Sequence, residues 1–268
     1  MVEATTDTDV RRLFDLTGRV VLVTGATGHL GSALAEGLAE AGASVVVTSR
    51  RDGDARSAAE RLPIRHGVVH HGVELDHMDE GSTQRGFAAA VAAAGRVDAL
   101  VCNGHEPLGA DWRQVTAEQF NRQLANATGY FLLARLLRDH LVRRSAKGSV
   151  VLLGSMYGSV GSYPEVYEGA SAASPVAYHA LKGGIVHMTR HLAVYWANDG
   201  VRVNCLSPGP FPSERAPATL VERLTERSPM RRMGRPEELK GPVVFLVSQA
   251  SSYMTGQNLL VDGGWTAW

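Results

Sequence analysis

The chain has 268 residues, 44% of them hydrophobic and 20% charged, with 27 Lys+Arg balanced by 27 Asp+Glu. That length suits one large α/β domain, and the absence of net charge removes the overall positive field that would hold nucleic acid or an anionic membrane. The polar start MVEATTDTDVRR lacks the basic and apolar regions of a secretory signal, and apolar runs such as VVLV and VVFLV are strand-sized, too short to span a membrane.

In chain order, residues 1–15 read as a flexible tail and residues 16–268 as one domain. RVVLVTG reads as a strand, and LGSALAEGLAEAG after it has helical spacing and stops at Gly42. SVVVTS and GVVHHGVEL are the next strands, followed by a helix through STQRGFAAAVAAAG. DALVCN is the fourth strand, AEQFNRQLANATGYFLLARLLRDHLVR a long helix and SVVLLGS the fifth strand. SPVAYHALKGGIVHMTRHLAVYWAND is a second long helix, VRVNCLSPG the sixth strand, ELKGPVVFLVSQ a late helix and NLLVDGG the last strand. Repeated β-α-β with apolar strands implies a Rossmann-type, doubly wound, seven-stranded parallel sheet with helices on both faces. Two irregular stretches, about 156–174 and 208–229, follow strands, so they fall at the carboxyl edge where such sheets bind ligands. The two cysteines, Cys102 and Cys205, lie in apolar strand-like runs and read as buried reduced thiols of a cytoplasmic protein.

TGATGHLG, residues 24–31, joins the first strand to the first helix. Glycines let the backbone approach a pyrophosphate, and the helix start supplies free N–H groups and a positive dipole end. Gly25, Thr27, Gly28, His29, Leu30 and Gly31 are therefore candidate cofactor contacts. The second strand ends at Ser49, followed by Arg50 where an NAD site would place an acid; an arginine suits the 2′-phosphate of NADP. Asp76 follows the third strand and reads either as an acceptor for the adenine amino group or as a helix cap.

Tyr178 and Lys182 share a helix face at i,i+4, where an ammonium would lower the phenol pKa from about 10 and fit it for proton transfer. Such a pair arises by chance in roughly 8% of chains of this composition, so it gains weight only in company. His187 and His191 are also four apart, but without a third ligand or an intervening acid they read as packing or surface residues and not as a metal site.

With these motifs in order, the chain resembles the single-domain short-chain dehydrogenase/reductase family from Leu16 to its end. The family's TGxxxGxG loop is present with its middle glycine displaced: Gly28 comes one place early and His29 takes the usual position. The family's NNAG turn appears as Cys102, Asn103, Gly104 and His105, which sets an imidazole by the expected nicotinamide crevice. The resemblance implies a catalytic set of Asn126, Ser155, Tyr178 and Lys182. In it Ser155 donates to the substrate oxygen, Lys182 also holds the nicotinamide ribose, and Asn126 anchors a water leading from Lys182 to solvent. It further implies cofactor contacts from Asn103, Gly104, Tyr178, Lys182, Pro208, Gly209 and Phe211, with Ser213 in the place of a usual threonine.

The interval from Ser155 to Tyr178 exceeds the family's usual one, and the added stretch carries Tyr157, Tyr163, Tyr167, Glu165 and Glu168. It reads either as a surface loop or as a polar, aromatic wall for a hydroxylated substrate, with His105, Tyr157, Tyr167 and Glu168 as candidate contacts. The stretch also resembles a sub-branch labelled gluconate 5-dehydrogenase-like. The resemblance thus implies NADP(H), in preference to NAD(H), and ketone/alcohol interconversion on a sugar acid, polyol or similar small molecule. A β-ketoacyl or polyketide-type ketoreductase and a catalytically inactive nucleotide-binding regulator are the alternatives. It implies a homotetramer, or a dimer, built on the two long helices and the last strand, with Trp265 and Trp268 suited to an interface. No nucleic-acid, membrane or metal partner is expected.

Overall fold

The computed structural model describes residues 9–170 and 173–268. Seven parallel strands lie in the order β3-β2-β1-β4-β5-β6-β7. They are β1 (Val20–Val23), β2 (Ser44–Ser49), β3 (His71–Glu74), β4 (Ala99–Cys102), β5 (Gly148–Leu153), β6 (Val201–Pro208) and β7 (Asn258–Val261). The helices are α1 (Val10–Leu13), α2 (His29–Glu40), α3 (Asp52–Glu60), α4 (Glu80–Ala94), α5 (Ala117–Arg143), α6 (Pro164–Tyr167), α7 (Val176–Trp196), α8 (Ala218–Arg227) and α9 (Lys240–Val247).

Alternation along the strands sorts their side chains into two cores. Leu22, Leu100, Val150 and Val203 face α5 and α7, meeting Leu133, Leu137, Leu181 and Ile185. Val21, Val23, Val101 and Val151 face α2 and α9, meeting Leu34, Leu38, Val243 and Leu246. Because both faces are covered, central strands such as β1 and β4 read as continuous apolar runs. A third cluster joins Met156, Tyr157, Val166, Leu224 and Trp265 above the carboxyl edge.

Local chemistry explains the helix ends. Thr116 and Gln119 form a capping box at the start of α5, with Thr116 N donating to Gln119 Oε1 at 3.0 Å and Gln119 N to Thr116 Oγ1 at 3.2 Å. Asp79 caps α4, which ends in the left-handed Gly95. A Cβ at Gly129 would lie 2.0 Å from the His77 carbonyl, so a glycine there lets α5 close onto the segment after β3.

The structure departs from the sequence reading in several details, among them helix α3, which has no counterpart in that reading. The expected tail contains helix α1 from Val10, and Phe14 packs on Phe245 with ring centres 6.3 Å apart; residues 1–8 of that tail lie outside the described residues. The stretch 208–229 is not irregular throughout, since α8 fills ten residues of it. The stretch 156–174 holds a turn of 3₁₀ helix at Met156–Gly158 and the short α6, with residues 171 and 172 outside the description. Among the described residues, no helix is long and apolar enough to cross a membrane.

Candidate active site

The sheet order reverses direction between β1 and β4, and the ligand crevice of such a sheet opens at the carboxyl ends of those two strands. Buried Thr24 ties them together. Its Oγ1 accepts from Asn103 N at 3.0 Å and Gly104 N at 2.9 Å. Asn103 returns the clamp, its Nδ2 donating to Thr24 O at 3.1 Å and Gly25 O at 3.0 Å. Gly25 has φ +62, and a Cβ there would lie 2.7 Å from Gly104 Cα, so the turn is closed to larger residues.

Above this turn lies a cleft of about 780 Å³. Gly25, Thr27, Gly28, His29, Leu30, Gly31, Ser49, Arg50, Asp76, Asn103 and Gly104 all line it. The residues suit a dinucleotide. Helix α2 starts at Gly28 with no side-chain cap and no acidic residue in its first turn, leaving N–H groups and the positive dipole end for a diphosphate. Arg50 is exposed on the cleft wall, whereas Arg51 is held by Asp54 at 2.6 Å. Asp76 does not cap α4, which is Asp79's role; its Oδ1 accepts from Met78 N at 2.9 Å on the cleft wall.

The catalytic candidates converge from three elements. Ser155, 6% exposed, follows β5 and caps the next turn, its Oγ accepting from Tyr157 N at 3.1 Å. That bond takes a lone pair and leaves the Ser155 O–H free to donate. Tyr178 and Lys182 come from α7, with Lys182 Nζ 5.6 Å from the centre of the Tyr178 ring. Burial pushes the Tyr178 phenol above its ordinary value, while neighbouring Ser155 draws it down. The expected lowering by Lys182 is not expressed in this geometry. Its ammonium, 4% exposed, is turned to the Leu153 carbonyl at 2.7 Å, and burial brings its own pKa down to about 8.

Asn126 works as a clamp through its side chain. Oδ1 accepts from His77 Nε2 at 2.9 Å and Glu106 N at 2.8 Å, and Nδ2 donates to Gln123 O at 2.9 Å and Glu106 O at 3.2 Å. It thereby joins α5 to the segments after β3 and β4. His77 and Gln123 carry no local sequence signal for this, because their partners lie on distant elements. Thr24 stands in the glycine motif itself, so its role was within reach of the sequence.

The remaining candidates divide. His105 lines the cleft and meets Tyr178 edge to face, ring centres 5.5 Å apart. Tyr157 and Tyr167 share a 2.6 Å hydroxyl bond in the cluster that packs against Tyr178, and Tyr157 stacks on His179 at 4.7 Å. Glu168 is exposed, and what it contributes is its backbone carbonyl, which accepts from Arg223. Pro208 ends β6, and Gly209 after it lies close against Asp262. Phe211 packs against Gly234 and lines a smaller cavity of about 80 Å³. Trp265 is 2% exposed and packs on Tyr163 within the subunit, so it is unavailable to an interface; Trp268 is 65% exposed. His191 packs at a tilt on Tyr195, ring centres 4.5 Å apart, and among the described residues no group of three or more His, Cys, Asp or Glu could hold a metal ion.

The family model described as enoyl-(acyl carrier protein) reductase matches residues 25–266. An NADP-dependent mannitol dehydrogenase of Hypocrea jecorina is 33% identical, covering 95% of this chain and 94% of its own. A galactitol 2-dehydrogenase (L-tagatose-forming) of Cereibacter sphaeroides is 33% identical, covering 97% of this chain and 100% of its own. The crystal structure of a gluconate 5-dehydrogenase from Burkholderia cenocepacia J2315, in complex with NADP and tartrate, superimposes with a TM-score of 0.85 at 29% identity, covering 97% and 100% of the two chains. With the strand order, the glycine turn and the Ser155, Tyr178 and Lys182 cluster in agreement, the chain belongs to the short-chain dehydrogenase/reductase family.

Proposed function

We propose that this chain is an NADP(H)-dependent oxidoreductase that interconverts a ketone and a secondary alcohol on a polyol, sugar acid or similar hydroxylated small molecule. The convergence of Ser155, Tyr178 and Lys182 beside the end of a dinucleotide-sized cleft carries this reading. The NADP-dependent and polyol-directed relatives support the cofactor and substrate class. Arg50 would hold the 2′-phosphate, the start of α2 the diphosphate, and Lys182 the nicotinamide ribose.

The bound nicotinamide supplies or accepts the hydride. Tyr178 moves the proton at its phenol oxygen, toward the substrate oxygen in reduction and away from it in oxidation. Ser155 donates to the same oxygen as charge develops there. Lys182, turning from Leu153 to the ribose, would bring its positive charge to bear on the phenol and lower its pKa. Asn126 holds α5 and the loop after β4 in register around this group and would anchor the water that leads from Lys182 to solvent. Tyr157 and Tyr167 wall the substrate side.

The assay is a panel of ketones and polyols followed at the reduced-nicotinamide absorbance with each cofactor. Turnover of a polyol or its ketose with NADP(H), abolished in Tyr178→Phe with cofactor affinity retained, is the expected result. Turnover confined to acyl thioesters would overturn the substrate class, and full activity of Tyr178→Phe would remove it from the mechanism. We further propose a homotetramer in the cytoplasm, where the free buried thiols of Cys102 and Cys205 stay reduced. The exposed Val194 and Tyr195 on α7 supply an apolar contact face. Light scattering should give the mass of four 28.7 kDa copies; a monomer would refute it.

A further inference from the structure

His105 stands where the family turn has a glycine, between the cleft and the reactive phenol. Its ring meets Tyr178 edge to face at 5.5 Å and 77°. Behind it lies Gln123, 2% exposed, with Nε2 3.4 Å from His105 Nε2. The other end of this amide, Oε1, is buried and has no hydrogen-bond partner among the described residues. Leaving a buried amide oxygen unpaired is costly, so the contact made by the other end of the side chain is the one to explain. What Gln123 does is donate to one nitrogen of His105.

A neutral imidazole has one donor and one acceptor nitrogen. Burial and the positive charge of Lys182 bring the His105 pKa down to about 3, so the ring is neutral at any working pH. A ring that accepts from Gln123 at Nε2 carries its proton on Nδ1. The ring therefore presents a fixed N–H donor beside the group that handles the reacting oxygen. With ring centres 5.5 Å apart, His105 and Tyr178 are close enough to serve two oxygens on neighbouring carbons of one substrate. Tyr157 and Tyr167 are tied to each other by one hydroxyl bond, while His105 meets the ring of Tyr178 itself.

We propose that His105, with its tautomer set by Gln123, is a specificity-determining residue that donates a hydrogen bond to the hydroxyl or carbonyl oxygen on the carbon next to the reacting one. The enzyme would thereby select vicinal diols and α-hydroxy ketones over simple alcohols and ketones. This rests on the oxidoreductase reading above and extends it to the substrate's second oxygen. Gln123 acts as a positioning residue through His105.

The test compares 3-hydroxy-2-butanone with 2-butanone, which differ by that one hydroxyl, using NADPH and the full-length enzyme. Wild type should prefer the hydroxy ketone in kcat/KM, and His105→Leu should reduce that ratio by about 10- to 100-fold. Gln123→Leu should reduce it less, and imidazole ¹⁵N spectra should show the His105 proton moving from Nδ1 alone to a mixture of both nitrogens. NADPH titration and circular dichroism establish that each variant is folded. If His105→Leu slows both ketones equally, the residue is structural and the proposal fails. If the His105 proton in wild type sits on Nε2, the assignment of Gln123 fails. If wild type turns over neither ketone nor any polyol, the oxidoreductase reading falls first and takes this inference with it.

Discussion

Replacing Gly31 by alanine tests how the cofactor turn is held. The added Cβ would lie 2.1 Å from the Gly25 carbonyl oxygen and 2.5 Å from Asn103 Nδ2. Neither neighbour gives way freely. Gly25 sits at φ +62 in a turn pressed on Gly104, and the Asn103 amide is committed to Thr24 O and Gly25 O. The methyl must therefore lift the start of α2 from the β1–β4 junction. Overpacking of this kind costs about 1–3 kcal/mol. Losing the two amide bonds adds about 0.5–1.5 kcal/mol each, for a total of about 2–6 kcal/mol. Urea unfolding followed by circular dichroism reads this as a lower midpoint at unchanged slope. The displaced helix start should also weaken NADPH binding by at least about tenfold, measured by fluorescence titration. Gly53→Ala is the control. It lies in α3 with nothing within 4 Å of the new Cβ, and should gain up to about 1 kcal/mol. Gly31→Ala within about 0.5 kcal/mol of wild type, with unchanged NADPH affinity, would refute the reasoning.

Other perturbations follow from the same geometry. Arg50→Ala should raise the KM for NADPH by about 10- to 100-fold while moving that for NADH little; equal losses would sink the 2′-phosphate assignment. The buried Lys182 gives up its proton near pH 8 when folded and near 10.5 when unfolded. The unfolded chain thus binds more protons between those values, and the Lys182 contribution makes the protein more stable as pH rises through that window. Urea midpoints at pH 7 and pH 10 should therefore improve for wild type relative to Lys182→Met, and a parallel shift in both would contradict it. Arg223 donates to the carbonyls of Glu165 and Val166 at 3.3 and 3.4 Å, and Arg227 pairs with Glu165 at 2.7 Å, so α8 holds α6. Arg223→Ala should raise substrate KM several-fold and speed proteolysis of residues 159–170, with NADPH affinity unchanged; unaltered KM and cleavage would mean that the two helices do not depend on each other.

Much of this architecture was legible along the chain. The central strands announce themselves as apolar runs, because a sheet covered on both faces buries them, as in β1 and β4. The glycine turn was legible because close backbone approach admits no other residue at Gly25 and Gly31. Tyr178 and Lys182 were legible because i,i+4 spacing puts two side chains on one helix face in any tertiary context. Helix α3 carries a weak signal: Ala55, Ala58 and Ala59 recur at helical spacing, in residues too small to stand out. Helix α8 had one as well, in Leu220 and Leu224, which both pack in the cluster over the site. Helix α6 had none, since four residues do not sustain a helix without Val166 in that cluster and Arg223 on its carbonyls.

Tertiary structure decided how the site residues are charged and aimed. The pair Tyr178 and Lys182 was set by sequence, but the ammonium faces Leu153 and the phenol is raised, because desolvation and hydrogen bonding depend on everything packed around a group. In the same way the sequence placed an imidazole at 105, and only the approach of α5 put Gln123 behind it and Tyr178 in front. Local sequence determines which elements form and which residues they carry, since helical and strand periodicity are properties of a single segment. The charge state, tautomer and direction of each reactive group belong to the fold, since they arise between segments that meet only once the sheet has closed.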